Sequence, residues 1–207
     1  MHVHVRRFKS MKIALSELRR FLYQKHLYSG PPFKQLHGLR SREVLANWLV
    51  CAALNHESRR ERYSFTSDQA GDRGVGDGYI YDSAVEVGFP AEHVIALALN
   101  PTQPMSVDDR ILNAIEKKQE KGGAAYAGGK ILVVMLEGGE QRWFPNAVAR
   151  QLSPTDFASV WVVGFQGIVD GRHIYAVVSL KFLGMNVPTW IIRMAPDFSS
   201  WEVHRTQ

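Results

Sequence analysis

The sequence has almost no cysteine. Cys51 is the only one among 207 residues, and its neighbours in Leu49-Val-Cys-Ala-Ala are all apolar. A lone cysteine excludes a disulfide within the chain and any zinc site built from cysteines. We therefore interpret Cys51 as a small buried apolar residue and expect a cytoplasmic protein, because nothing in the cysteine usage points to an oxidising compartment.

Long hydrophobic runs are also missing. The longest aliphatic runs, residues 94–99 and 131–136, have only six residues each, whereas a helix that crosses a bilayer needs about 20. The basic N-terminal segment is not followed by an apolar stretch of the kind found in secretory signals. The sequence therefore predicts no membrane partner, and residues 1–10 are interpreted as an extension that can be disordered.

The composition is otherwise that of one folded domain. Hydrophobic residues make up 45% of the chain, which is ordinary for a globular protein, and residues 1–207 fit a single domain with a sizeable core. The net charge is +5, and basic residues are concentrated in the first third. This charge permits nucleic-acid binding, but solvated helix faces and loops would explain it equally well.

The spacing of apolar residues predicts alternating helices and strands. Helices are predicted over residues 11–26, 41–55, 107–121 and 144–152, with Ser41 and Ser106 as N-caps. Strands are predicted over residues 79–82, 94–99, 131–136, 160–165, 173–180 and 189–194. Residues 59–78 are polar and rich in glycine, so a loop is expected there. This order predicts a mixed α/β sheet in which the runs 94–99, 131–136 and 160–165 lie side by side.

Two carboxylates stand at the start of neighbouring predicted strands. Asp77 precedes Gly78-Tyr-Ile-Tyr, and Glu92 precedes residues 94–99. If the strands pair, both side chains lie at one end of the sheet, where their oxygens would suit a hard cation such as Mg²⁺. The alternatives are a turn residue at Asp77, because Asp-Gly favours turns, and an exposed strand end at Glu92.

A lysine on the next predicted helix is expected to reach these carboxylates. Lys118 continues the apolar stripe that contains Ile111 and Ile115, whereas Lys117 aligns with Arg110 on the solvent side. A lysine beside a bound ion can orient or deprotonate water, or neutralise a phosphate. The alternative is that the stem of Lys118 packs on the core and its ammonium group reaches solvent.

On these residues and their order, the chain resembles the PD-(D/E)xK, or restriction-endonuclease-like, nuclease superfamily over residues 41–180. Asp77 matches the aspartate of the motif and Glu92 its acidic residue. Val94 stands where the motif has its own lysine, so Lys118 resembles the lysine of members that carry this residue on the helix. Gly76 stands in place of the proline of the motif.

The resemblance implies a restriction-endonuclease-like mixed β-sheet flanked by helices on both faces. It implies a site for Mg²⁺ or Mn²⁺ with Asp77 and Glu92 as ligands, and Glu43 stands where some members carry a further acidic ligand on the first core helix. Lys118 would complete the catalytic set. The expected activity is cleavage of phosphodiester bonds in nucleic acid, with DNA expected rather than RNA. Removing one of two neighbouring carboxylates is expected to relieve their repulsion.

Four arginines lie in the stretch that leads to Asp77. They are the expected phosphate contacts of such an enzyme, and they are Arg59, Arg60, Arg62 and Arg73. The alternative function is a catalytically inactive module with the nuclease fold that binds nucleic acid or a protein partner.

Overall fold

The structure is a computed structural model that describes residues 10–22, 37–66, 77–97, 105–136, 142–180 and 186–207. The helices in these ranges are α1 (Met11–Leu22), α2 (His37–Ser58), α3 (Val107–Glu120), α4 (Gly123–Ala127) and α5 (Pro145–Gln151). The strands are β1 (Tyr63–Thr66), β2 (Tyr79–Asp82), β3 (Val87–Ala96), β4 (Ile131–Leu136), β5 (Ser159–Val169), β6 (Arg172–Ser179), β7 (Thr189–Met194) and β8 (Trp201–Arg205).

The strands form one mixed sheet in which each strand lies beside its neighbours in sequence. β3, β4 and β5 are parallel, and they form the centre of the sheet. Antiparallel pairs extend it on one side through β2 and β1 and on the other side through β6, β7 and β8. The predicted arrangement of residues 94–99, 131–136 and 160–165 is confirmed wherever these runs are described.

Helices pack on both faces of the sheet, and each face has its own core. Leu15 of α1 and Trp48 of α2 pack in the same core as Val133 of β4, whereas Ile111 of α3 packs with Leu132 on the opposite face. Successive residues of a strand point to opposite faces, so β4 contributes to both cores and is a continuous apolar run. The predicted mixed α/β class is therefore confirmed.

Two strands differ from the prediction. β1 lies inside residues 59–78, where a loop was expected, because Phe65 is buried and pairs with Ile80 of β2. A strand of four residues is too short for its alternation to stand out in the sequence. β3 begins at Val87 rather than near residue 94, since it pairs first with β2 and then with β4. Glu92 consequently lies in the middle of a strand.

Two helical predictions also need correction. Ser41 lies inside α2 and is not its N-cap. Arg110 is buried at 4% exposure, although its spacing placed it on the solvent side of α3. The capping prediction at Ser106 is confirmed, because its side chain accepts a hydrogen bond from the backbone of Asp109.

In the described ranges no helix is long and apolar enough to cross a membrane. The predicted extension over residues 1–10 and the C-terminal part of the first predicted helix fall outside the described residues, apart from Ser10.

Candidate active site

Ionisable side chains from three elements meet where β4 begins. Glu92 belongs to β3, Lys118 to the last turn of α3, and Lys130 directly precedes β4. Because Ala91 of β3 lies beside Ile131 of β4, Glu92 stands next to the first residues of that strand. A crossover helix returns the chain to the starting edge of the next parallel strand, so the end of α3 reaches the same place.

Glu92 is the centre of this cluster and is only 5% exposed. Its Oε1 atom accepts a hydrogen bond from Nζ of Lys130 at 2.9 Å. Its Oε2 atom lies 3.0 Å from Nζ of Lys118 and accepts a hydrogen bond from the hydroxyl of Tyr126. A buried carboxylate needs such partners to offset the loss of hydration, and Glu92 has them on both oxygens.

The surroundings keep Glu92 and Lys118 charged. Burial raises the pKa of Glu92, but hydrogen bonds from Tyr126, Lys130 and Lys118 outweigh it, and the pKa is lowered overall. Burial likewise lowers the pKa of Lys118, but its bonds with Tyr126 and Glu92 raise that pKa above the ordinary value. Both shifts favour the ionised form. At neutral pH the site therefore contains a carboxylate and an ammonium group in direct contact.

Tyr126 connects the members of the cluster. Nζ of Lys130 lies 4.0 Å from the centre of the Tyr126 ring and Nζ of Lys118 lies 5.7 Å from it, so both cations face the ring. Tyr126 is carried by the short helix α4. Gly122 precedes this helix, and a Cβ atom there would lie 2.3 Å from Cβ and Cγ of Tyr126. The glycine is needed because no side chain fits at that position.

Asp77 borders the same part of β3. Its backbone N–H donates to the carbonyl of Ala91 at 2.7 Å, and its Oδ2 accepts a hydrogen bond from the backbone N–H of His93 at 2.9 Å. Burial raises the pKa of Asp77, but the His93 contacts and the charge of Lys118 lower it overall. Its side chain is 36% exposed, so Asp77 is the solvent-facing carboxylate of the site.

His93 lies on the face of β3 opposite Glu92, because successive residues of a strand point to opposite faces. Its Nε2 atom is 3.1 Å from Oδ1 of Asn47 in α2, and its Nδ1 atom is 3.6 Å from Oδ2 of Asp77. The ring therefore contacts Asp77 but stands apart from the partners of Glu92. Its place between α2 and Asp77 makes it a support for the solvent-facing carboxylate.

Three segments far apart in sequence thus supply Asp77, Glu92 and Lys118. No family model, curated protein or solved structure matches this chain. The direct contact between Lys118 and Glu92 was expected from helical spacing, and Lys117 is exposed as predicted.

Lys130 and Tyr126 are the members of the cluster that were not among the predicted site residues. Lys130 stands directly before an apolar strand, which is the same signal that drew attention to Asp77 and Glu92. Applied to every strand, that signal would have included Lys130. No local pattern in the sequence predicts the contact of Tyr126 with Glu92. This contact depends on the turn at Gly122 and on where the short helix α4 places the ring.

Glu43 and the arginines are placed differently. Glu43 lies in α2 four residues before Asn47, hence on the same side of the helix. Within the described ranges no three His, Cys, Asp or Glu side chains converge as metal ligands, and the role of Glu43 stays a prediction. Arg62 does not lie beside Asp77: it pairs with Asp82 at the opposite end of β2.

Arg59 and Arg60 are exposed and precede β1 at the Asp82 end of β2. Arg73 falls outside the described residues. The order along the chain did not predict these positions. β1 is antiparallel to β2, so β1 begins beside Asp82 and ends beside Tyr79, which is the end of β2 that Asp77 precedes.

Gly78 allows Asp77 to approach β3. It has a φ angle of +149°, and a Cβ atom there would lie 2.7 Å from the carbonyl of Thr66 and 2.8 Å from Nδ2 of Asn47. We expect Gly78→Ala to lower the free energy of unfolding by about 1–3 kcal/mol, the usual cost of a strained backbone residue. Urea denaturation would measure the change.

Gly164→Ala is the matched control for this prediction. It adds the same methyl group inside the sheet, but its nearest neighbours are side-chain atoms of Leu136, the closest at 3.0 Å, and a side chain can shift. We expect a smaller loss of stability than at Gly78. Equal losses in the two variants would contradict the special requirement for glycine before β2.

Proposed function

We propose that the protein is a metal-dependent phosphodiesterase that cleaves nucleic acid. The observation that carries this proposal is the ion pair between Lys118 and Glu92, which joins a helix lysine to a strand carboxylate beside Asp77. The order of α2, the antiparallel strands β1 to β3, α3 and the parallel strand β4 supports assignment to the restriction-endonuclease-like fold.

Asp77 and Glu92 are suited to holding the metal ion. Their carboxylate oxygens are the ligands that Mg²⁺ and Mn²⁺ prefer, and the partial exposure of Asp77 leaves it accessible from solvent. When bound, such an ion would activate water and stabilise negative charge on the phosphate. His93 holds Asp77 in place through its backbone N–H, so this ligand would be positioned before the ion arrives.

Lys118 is suited to an electrostatic role rather than to a basic one. Its raised pKa keeps the ammonium group protonated at neutral pH, so it has no free lone pair with which to take a proton from water. A protonated lysine can instead stabilise the negative charge that builds up on the phosphate in the transition state. Among the roles expected from the sequence, the ion pair of Lys118 with Glu92 therefore favours neutralisation of phosphate.

The charges of the site fit this reaction. Asp77 and Glu92 contribute −2, and Lys118 and Lys130 contribute +2, so the cluster is neutral. A divalent ion together with a phosphodiester of charge −1 would bring it to +1. Loss of a proton from the attacking water to bulk solvent would restore neutrality. A buried site near neutrality avoids the cost of an uncompensated charge at low dielectric.

The second candidate is the inactive module that binds nucleic acid or protein. It is favoured by one observation: both oxygens of Glu92 are already bonded to cations or to a hydroxyl group. In this alternative Lys118 and Lys130 serve only to stabilise a buried carboxylate. The two candidates differ in whether a metal ion can enter the cluster and support cleavage.

A nuclease assay separates the candidates. Single- and double-stranded DNA and RNA would be incubated with the protein in Mg²⁺, in Mn²⁺ and in EDTA, with a Glu92→Gln preparation as the control for contaminating nucleases. We expect cleavage of at least one substrate in Mg²⁺ or Mn²⁺, and none in EDTA or with the control. Binding without cleavage in any metal would contradict the enzyme and support the module.

The arginines before β1 allow a separate test of nucleic-acid binding. Replacing exposed Arg59 and Arg60 by serine should weaken binding and lower the slope of log affinity against log salt by about one for each lost phosphate contact. Fluorescence anisotropy at several salt concentrations would measure both effects.

Arg62→Ser is the matched control for the arginine test. Its guanidinium group is already paired with Asp82, so its loss should affect stability rather than binding. The assignment of Arg59 and Arg60 as phosphate contacts would be contradicted if the slope of log affinity against log salt dropped in Arg62→Ser but not in the variant that replaces Arg59 and Arg60.

A further inference from the structure

The two lysines of the cluster are held differently. The backbone of Lys130 donates to the carbonyl of Ala127, and its own carbonyl accepts from Ala158, which places this residue in a fixed position at the start of β4. Its ammonium group lies 4.0 Å from the centre of the Tyr126 ring. Lys118 extends from the last turn of α3 and lies 5.7 Å from the same ring. Lys118 is therefore the partner of Glu92 that lies farther from the Tyr126 ring.

The two oxygens of Glu92 also differ. Oε1 is bonded to Lys130, and Oε2 is bonded to Lys118 and Tyr126. Oδ2 of Asp77 accepts from the backbone N–H of His93, the residue that follows Glu92. A cation bound through Oε2 of Glu92 would need the oxygen that the ammonium group of Lys118 now contacts at 3.0 Å.

We propose that Lys118 occupies the cation position of the free protein, so that a divalent ion binds well only when a phosphate of the nucleic acid is present to receive the displaced ammonium group. This inference rests on the proposed function, since it assumes that Asp77 and Glu92 hold the ion. Lys130 and Tyr126 remain on Glu92 during the exchange and keep its carboxylate in place.

The physical reason is charge compensation. The free cluster is neutral, and a divalent ion alone would raise it to +2 with an ammonium group beside the ion, which is unfavourable away from bulk water. A phosphodiester supplies negative charge and a new partner for Lys118. Ion and nucleic acid therefore strengthen each other's binding, and linkage requires the same factor in both directions.

Calorimetry with Mn²⁺ tests the proposal on the full chain. The wild type would be titrated alone and in complex with a short phosphorothioate DNA, which is hydrolysed slowly. We expect the DNA to raise Mn²⁺ affinity by about fivefold to 150-fold, the usual range for coupled sites. In the absence of DNA, Lys118→Met should bind Mn²⁺ more tightly than the wild type by a factor in the same range.

Two variants serve as controls. Lys117→Met removes the same charge from the preceding residue, which is exposed. Mn²⁺ affinity should therefore stay near that of the wild type. Lys118→Arg keeps the charge, so Mn²⁺ affinity without DNA should stay low. Circular dichroism of each variant would confirm that the fold is intact.

The failures can be told apart. If Mn²⁺ binds the free wild type and the free Lys118→Met variant equally tightly, the proposed displacement of Lys118 is wrong. The assignment of Asp77 and Glu92 as metal ligands is not affected by that result. A larger gain in Mn²⁺ affinity in Lys130→Met than in Lys118→Met would mean that Lys130 occupies the cation position. That result would overturn the assignment of Lys118. If no protein binds Mn²⁺ with or without DNA, both this inference and the metal-dependent function are wrong.

Discussion

Lys118→Met should reduce the rate of phosphodiester cleavage by about a hundredfold to a thousandfold, the usual range for removing one group that stabilises negative charge in the transition state. Methionine keeps the packing of the stem on α3 and removes only the charge that lies 3.0 Å from Oε2 of Glu92. Single-turnover rates at saturating Mg²⁺ would measure the loss, because weaker substrate binding would not obscure the chemical step.

Lys117→Met is the matched control, since it removes the same charge from the same helix at an exposed position. Its rate should remain close to that of the wild type. Equal activity in the two variants would show that Lys118 is not catalytic. Lys130, which also contacts Glu92, would then be tested before Lys121, the C-cap residue of α3.

Glu92→Ala should lower the free energy of unfolding by about 3–5 kcal/mol, the range for removing one partner of a buried ion pair. The reason is that Lys118 and Lys130 would each lose their carboxylate. This reverses the expectation from sequence that removing either acid relieves repulsion. Urea denaturation would measure the loss, and a Glu92→Ala variant as stable as the wild type would contradict the role of the cluster in the fold.

Asp77→Ala provides the comparison. Asp77 is more exposed, and the backbone N–H of His93 donates to its side chain, so the expected loss of stability is smaller than at Glu92. In the complex with DNA, both variants should lose Mn²⁺ binding. Unchanged Mn²⁺ affinity in both would contradict the assignment of these carboxylates as ligands.

The pH dependence of stability follows from the same contacts. The folded state lowers the pKa of Glu92 from its ordinary value of 4.5, so this contribution is complete above that value and is lost as pH falls through the lowered pKa. Lys118 has a raised pKa, so its contribution is complete below 10.5 and is lost as pH rises through the raised value. The stability difference between wild type and Glu92→Ala should therefore narrow in acid.

Local patterns predicted the elements that are long and regularly spaced. The apolar run of β4, the N-cap at Ser106 and the side of α3 that carries Lys118 each depend on residues a few positions apart, so a short stretch of sequence contains the necessary information. β1 was missed and β3 was started too late because their limits depend on pairing with β2. Pairing between strands is a long-range choice that no local window contains.

The sequence by itself determined that Asp77 and Glu92 precede apolar runs and that Lys118 lies on the inner side of α3, and it therefore predicted the contact between Lys118 and Glu92. Only the tertiary structure decided that Lys130 and Tyr126 complete the cluster, that Arg62 is committed to Asp82, and that Glu92 is bonded on both oxygens. The physical reason is distance along the chain. Tyr126 and Lys130 lie 34 and 38 residues from Glu92, and the crossover through α3 and α4 brings them within hydrogen-bonding reach.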